Sequence, residues 1–248
     1  MEEAVEGMGT WQGAWYLAKH EMKRARWKHL LTVVFIAYLV IFLVPMFGNA
    51  MKGEAEIPIN WTVDFLTVTL VPLLGLMALQ SRAFYWRTDV YTQKLAYWRT
   101  LPITAGQIAR GKLLAYLVNA LPAQTLFYLI YYLGIRTLTE QIDPVTFALH
   151  SAFWIGIGFC TAMLYLYSEV SMSGKAYFIV CLVVVIVVLL GAILYTAVTR
   201  KSLVYDSYMA IDSGAWYLPL ASLAVAAVTV AFTVGSMEKR IRTRSYGS

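Results

Sequence analysis

Charge is what this sequence has least of. Only 14% of its 248 residues are Asp, Glu, Lys or Arg, against 60% that are hydrophobic, and the mean hydropathy is +0.63. Soluble domains carry about 25% charged residues, so a water-soluble globular fold is excluded. Cysteine is nearly missing: Cys160 and Cys181 both fall inside apolar runs, which leaves neither a disulfide framework nor a thiolate metal site. The three histidines, His20, His29 and His150, are far apart without a carboxylate at ligand spacing, and neither H-E-x-x-H nor G-x-S-x-G occurs. No catalytic residue and no metal site is expected, and the chain reads as no enzyme. A phosphate-binding G-x-x-x-x-G-K-[ST] is also missing. The nearest approach, "SGKA" at 173–176, has Glu169 in place of the first glycine and Ala176 in place of the Mg²⁺-binding hydroxyl. Energy from ATP would have to come from another subunit.

Long apolar runs take the place of charge. A hydrocarbon core of about 30 Å needs about 20 apolar residues as helix, and six runs qualify, near 30–47, 61–80, 113–134, 147–167, 176–199 and 215–237. The expected fold is an all-α integral membrane protein. Residues 1–29 form a cytoplasmic N-terminus, 30–237 the six-span domain and 238–248 a basic cytoplasmic tail. Orientation follows from the lysines and arginines, which cytoplasmic loops retain. With the N-terminus inside, sixteen of the twenty lie inside and only Lys52, Arg136, Arg200 and Lys201 outside. Both termini are therefore expected in the cytoplasm. The same bias accounts for the net charge of +6 without nucleic acid, since no globular domain is left to form a groove. The first ten residues are acidic and no small-residue cleavage site follows the first apolar run, so the first span is expected to remain in the mature protein.

Ahead of that span, Trp11, Trp15, Ala18, Met22 and Ala25 fall in one helical sector, with Lys19, Lys23, Arg24 and Lys28 outside it. This reads either as an amphipathic helix in the membrane interface or as a positive-inside anchor. The longest loop, 81–112, is cytoplasmic. Its stretch "FYWRTDVYTQKLAYWR" lacks Gly and Pro and suits a short helix. Pro102 then disfavours helix at Leu101, and Thr104 with Gln107 has the spacing of a capping box, so a new helix is expected from Thr104 into the third span.

The turn and restart, "WRTLPITAGQIARGKLLAYL", resemble the start of the third span in permease subunits of ABC-2 type transporters, the six-span, type V exporter-like family. The resemblance extends to the whole arrangement: an amphipathic helix, six spans and both ends inside. It implies a connecting helix before the first span and a coupling helix between the second and third, both seated on a separate ABC ATPase subunit that carries the ATP and Mg. It implies no cofactor in this chain, and a second permease subunit, identical or not. Carried over by position, the coupling residues are Tyr97, Trp98, Arg99, Thr100, Leu101, Pro102, Ile103 and Thr104. Relatives place several charges after the Leu-Pro-Ile turn, whereas "TAGQ" is neutral, so the polar contacts fall to Lys94 and Arg99. The expected location is a bacterial cytoplasmic membrane. The expected cargo is amphipathic or hydrophobic: an antibiotic, an antimicrobial peptide or a lipid.

The alternative is an ion-driven secondary transporter, for which Asp64, His150 and Glu169 are the relay candidates, because charges inside spans are costly and are retained mainly where they have a role. All three sit near span ends, and interfacial polar residues are the other reading. Small and polar residues suited to a translocation path are Thr67, Thr69, Asn119, Gln124, Gly156 and Gly158. Pro72 and Pro122 offer places to bend. The tyrosine-rich stretch 202–219 reads as a short interfacial or re-entrant helix, or equally as a loop with an aromatic belt. The topology has a direct check. A cysteine replacing Arg136 is expected to react with a membrane-impermeant thiol reagent on intact cells, and one replacing Lys175 only after the membrane is opened.

Overall fold

The computed structural model describes residues 9–24, 28–52, 57–76, 89–139 and 142–243, apart from the side chains of 57–59, 90 and 99. About 90% of the described residues are helical, and no strand occurs among them. In chain order the helices are α1 (Thr10–Arg24), α2 (Lys28–Met51), α3 (Ile57–Leu70) with a 3₁₀ turn over Val71–Gly75, α4 (Val90–Arg99), α5 (Ala105–Leu138), α6 (Pro144–Ser171), α7 (Gly174–Thr199), α8 (Leu203–Asp212) and α9 (Tyr217–Thr243). Five of them, α2, α5, α6, α7 and α9, are long and apolar enough to cross a membrane. The chain is an all-α membrane protein.

The run read as a span over 61–80 behaves differently from the others. It starts earlier, at Ile57, and its α-geometry stops at Leu70, where the 3₁₀ turn begins. Pro72 lies at the start of that turn and brings no N–H to the helical ladder. Pro45 and Pro122, by contrast, lie inside unbroken helices. Residues 77–88, which hold the end of that run and the start of the expected cytoplasmic loop, lie outside the described residues, as do Ala25 of the amphipathic sector and residues 244–248 of the tail.

The long helix α5 is the axis of the bundle, packed by α1, α2, the 3₁₀ turn and α9, while α6 lies along α9. Contact between α6 and α9 is close because Gly156 has no side chain: a Cβ there would stand 2.7 Å from Ser222 Oγ. The most apolar helix, α7, leaves Leu182, Val183, Val187, Leu190 and Leu194 exposed along most of its length. In water such a face would demand a partner; in hydrocarbon its helix needs none, because every backbone group is satisfied within it.

At one end of the bundle α8 is held by residues far away in sequence. Asp64 of α3, 1% exposed, accepts from Ser202 Oγ at 2.7 Å and from the Leu203 and Val204 amides at 2.8 and 2.9 Å. Those amides are free donors of the first helical turn, so Asp64 caps α8 from another segment, an anion at the positive end of a helix. His150 of α6 approaches the same residue from its other side, with Nε2 3.1 Å from the Val204 carbonyl. Trp154 Nε1 stands 3.0 Å from the same ring nitrogen, so the tautomer of His150 sets which of the two contacts is a hydrogen bond. Trp154 Nε1, one turn along, donates to Ser207 Oγ at 3.1 Å. Replacing Asp64 with Ala is expected to cost about 1–2 kcal/mol, as for a lost helix cap, seen as a lower thermal midpoint in detergent, with a smaller loss for Ser202→Ala.

Candidate functional site

The residues around the opening of α5 are built on a capping box and a turn. Gln107 N donates to Thr104 Oγ1 at 3.2 Å and Thr104 N donates to Gln107 Oε1 at 2.9 Å, so two free donors of the helix start are satisfied reciprocally. Ahead of the box, Leu101 N bonds the Trp98 carbonyl and Ile103 N the Leu101 carbonyl, which folds "TLPI" into a compact turn. Tyr97, Thr100, Pro102 and Thr104 are exposed and Leu101 and Ile103 half-buried, so the turn offers a mixed apolar and polar tip to the surroundings. Thr100 Oγ1 returns a bond to the Tyr97 carbonyl at 2.8 Å. The Arg99 side chain lies outside the described residues. Beside the turn is a groove of about 360 Å³ lined by Ile103, Thr104, Ala105, Ile108, Ile241 and Arg242, which brings the end of α9 to the same place.

Directly behind the tip lies a cluster of buried charge. Lys112, on the second turn of α5 and only 4% exposed, stands 2.5 Å from Glu169 of α6 and 3.9 Å from Glu21 of α1. Lys94 of α4 pairs with the same Glu21 oxygen. Trp98 lies beside the two ammonium groups, 4.7 Å from Lys94 Nζ and 5.7 Å from Lys112 Nζ, near enough for both to meet its ring quadrupole. The cluster joins α1, α4, α5 and α6 and encloses only about 10 Å³ of free space, too little for a ligand. It is a packed joint. Burial alone would raise the Glu21 carboxyl, but Lys112 and Lys94 outweigh it and hold it below its usual 4.5. Burial, followed by the Lys112 charge, pulls the Lys94 ammonium below its usual 10.5, and Glu21 and Glu169 offset only part of that.

Two further contacts fix α1 and α4 against the bundle. The face of α1 that packs on α5 is its small-residue face, Gly13, Ala14 and Ala18, and not the tryptophan stripe; Trp11 and Trp15 are 60% and 47% exposed. A Cβ at Gly13 would stand 2.5 Å from Gln107 Nε2, and Gly111 lies against the Ala14 carbonyl at 3.1 Å from where its Cβ would be. Trp11 instead receives Arg110 over its ring at 5.6 Å. At the other end of α4, Asp89 caps the helix through Thr92 N at 3.4 Å and accepts from Gly174 N of α7 at 2.8 Å, with a positive φ of 41°. Tyr91 meets Tyr177 of α7 edge to face at 5.3 Å. The short helix is thus tied at its start to α7 and along its body to α1, α5 and α6.

Lys94 and Trp98 are turned inward, into the joint. Of the relay candidates, Asp64 and His150 meet on the first turn of α8, while Glu169 is paired with Lys112 at the opposite end of the bundle. Of the path candidates, Gln124 and Gly158 come together, Gly156 lies against Ser222, and Asn119 donates to its own helix at Ala115 O, 2.6 Å away. Thr67 and Thr69 are buried in α3. Glu21, Asp89 and the pairing of Lys112 escaped the sequence reading. The available signal was isolation: Glu21 is the one acid between residues 7 and 53, and Asp89 the one between 65 and 139. Among the described residues no group of His, Cys, Asp or Glu is placed to hold a metal.

No family model matches this chain, and no curated protein matches it. The joint makes two measurable claims. Lys112→Met, which leaves two buried carboxylates short of a partner, is expected to cost about 3–5 kcal/mol. Because the folded state holds the Glu21 carboxyl below its usual value, that stabilisation is complete above pH 4.5 and is lost as pH falls through the folded value. Thermal midpoints in detergent should fall on that acid side, and Glu21→Gln should flatten the fall.

Proposed function

We propose that this chain is the permease subunit of an ATP-binding-cassette exporter of the ABC-2 type, crossing a bacterial cytoplasmic membrane six times with both termini inside. The observation that carries the reading is the charged joint standing directly behind an exposed turn: a push on Leu101–Ile103 passes through α4 and the start of α5 into Lys112, and from there into α1 and α6. Burial and mutual charge make that joint stiff, because separating any member leaves an uncompensated ion in a low-dielectric place.

On this reading the exposed tip of Tyr97, Thr100, Pro102 and Thr104, with half-buried Leu101 and Ile103 and the groove against Ile241 and Arg242, seats a separate ATPase subunit. Arg99 supplies a polar contact there. Lys94 and Trp98 transmit rather than dock, since both are turned into the joint. ATP and Mg belong to the partner, and this chain is a transport subunit without chemistry of its own. A second permease subunit completes the path for an amphipathic or hydrophobic cargo, an antibiotic, an antimicrobial peptide or a lipid.

The test is purification of the tagged chain from its own membranes in mild detergent, with identification of what accompanies it. A stoichiometric P-loop ATPase is expected, and Leu101→Asp should release it and abolish ATP-dependent export while membrane insertion and yield stay unchanged. A chain that purifies alone, without ATPase activity, overturns the reading in favour of an ion-driven carrier.

A further inference from the structure

The middle of the bundle holds a polar group with no visible use. Gln124 of α5 is fully buried, and neither the oxygen nor the nitrogen of its amide has a hydrogen-bond partner among the described residues. Gln124 lies twelve residues beyond Lys112, and Gly158 eleven before Glu169. At 1.5 Å per residue both stand about 17 Å from the charged joint, near the centre of a hydrocarbon core of about 30 Å. An unpaired amide is most costly at that depth, and such groups in native interiors call for a partner.

What surrounds the amide is neutral and partly open. The Cβ that Gly158 lacks would stand 3.6 Å from Gln124 Nε2 and 3.7 Å from Pro72 Cγ, so a space the size of a methyl group separates α5, α6 and the 3₁₀ turn at this level. The Tyr116 hydroxyl, on the same face of α5, faces Gln124 without reaching bonding geometry, and it too is buried and unpartnered. Gln124 and Tyr116 therefore bring an amide donor, an amide acceptor and a hydroxyl, with no formal charge.

We propose that Gln124, with Tyr116 and the gap left by Gly158 beside the Val71–Gly75 turn, forms an internal water site at the level of the membrane centre. The chemistry selects the ligand. A cation would satisfy Oε1 and the hydroxyl and leave the amide N–H groups facing a positive charge; an anion would fail Oε1. Water both donates and accepts, and a single molecule fits a space of this size. The site is internal to one protomer and stands independently of any ATPase partner. It hydrates the level at which the second apolar run leaves α-geometry, where backbone groups released from the ladder need an exchangeable partner.

Hydroxyl-radical footprinting of the full chain in lipid nanodiscs tests this, because radicals formed from bound water modify the side chains beside it even when bulk solvent is excluded. Tyr116 is expected to be modified while Met163, equally buried but set among apolar side chains, stays protected. Two variants should each remove the Tyr116 modification. Gln124→Leu takes away the amide at similar volume, and Gly158→Ala fills the gap at ordinary contact distances. The thermal midpoint of Gln124→Leu should be unchanged or higher. Three results overturn the proposal: a protected Tyr116 in the unaltered chain, labelling that survives both variants, or a midpoint that rises when sodium replaces choline, which would assign the site to a cation.

Discussion

A lysine ammonium that is 4% exposed must be neutralised where it stands, and the placement of Lys112 organises one end of this molecule. Its neighbours cannot be supplied locally, because α5 has no acid of its own. They come from α1 and α6, which must then approach the second turn of α5, and Lys94 of α4 joins by sharing Glu21. The absence of side chains at Gly13 and Gly111 lets α1 come that close. A single buried cation thus decides where the first helix, the short helix α4 and the ends of α5 and α6 lie with respect to one another.

The same economy recurs wherever an acid stands alone. In a chain with 14 acidic residues, Glu21, Asp64, Asp89 and Glu169 are each followed by at least 24 residues without another acid. Each binds a group from a distant segment: two lysines, the first turn of α8, the start of α7, and Lys112. Glu21 passes over Lys19, Lys23 and Arg24 close by in sequence and pairs with Lys94 and Lys112 instead. It is retained because a tertiary partner offsets the cost of desolvating it.

Apolar length made five crossing helices legible in the sequence, and the spacing of Thr104 and Gln107 placed the start of α5. Those signals are local: a run of residues, or four consecutive positions. The second apolar run was harder, because composition reports hydrophobicity and not the loss of an N–H at Pro72, which changes its geometry at Val71. The tryptophan stripe of α1 was legible as a stripe, yet the packing face turned out to be glycine and alanine, since closeness of approach and not hydrophobicity governs that contact. Lys112 was counted as one more inside cation. Nothing in its neighbourhood along the chain distinguishes it from Arg110, and its burial exists only once α1 and α6 are in place.

Asp64 grips the amide of Val204 and His150 stands against its carbonyl, so the two faces of one residue are claimed by two different helices. In kinematic terms, α3, α6 and the first turn of α8 form a closed linkage at that end of the bundle. Relative sliding of α3 and α6 there would have to break one of the grips. The 3₁₀ turn at Val71–Gly75 sits between this pinned end and the charged joint, pressed so closely on α5 that a Cβ at Gly75 would stand 2.4 Å from that of Ala120.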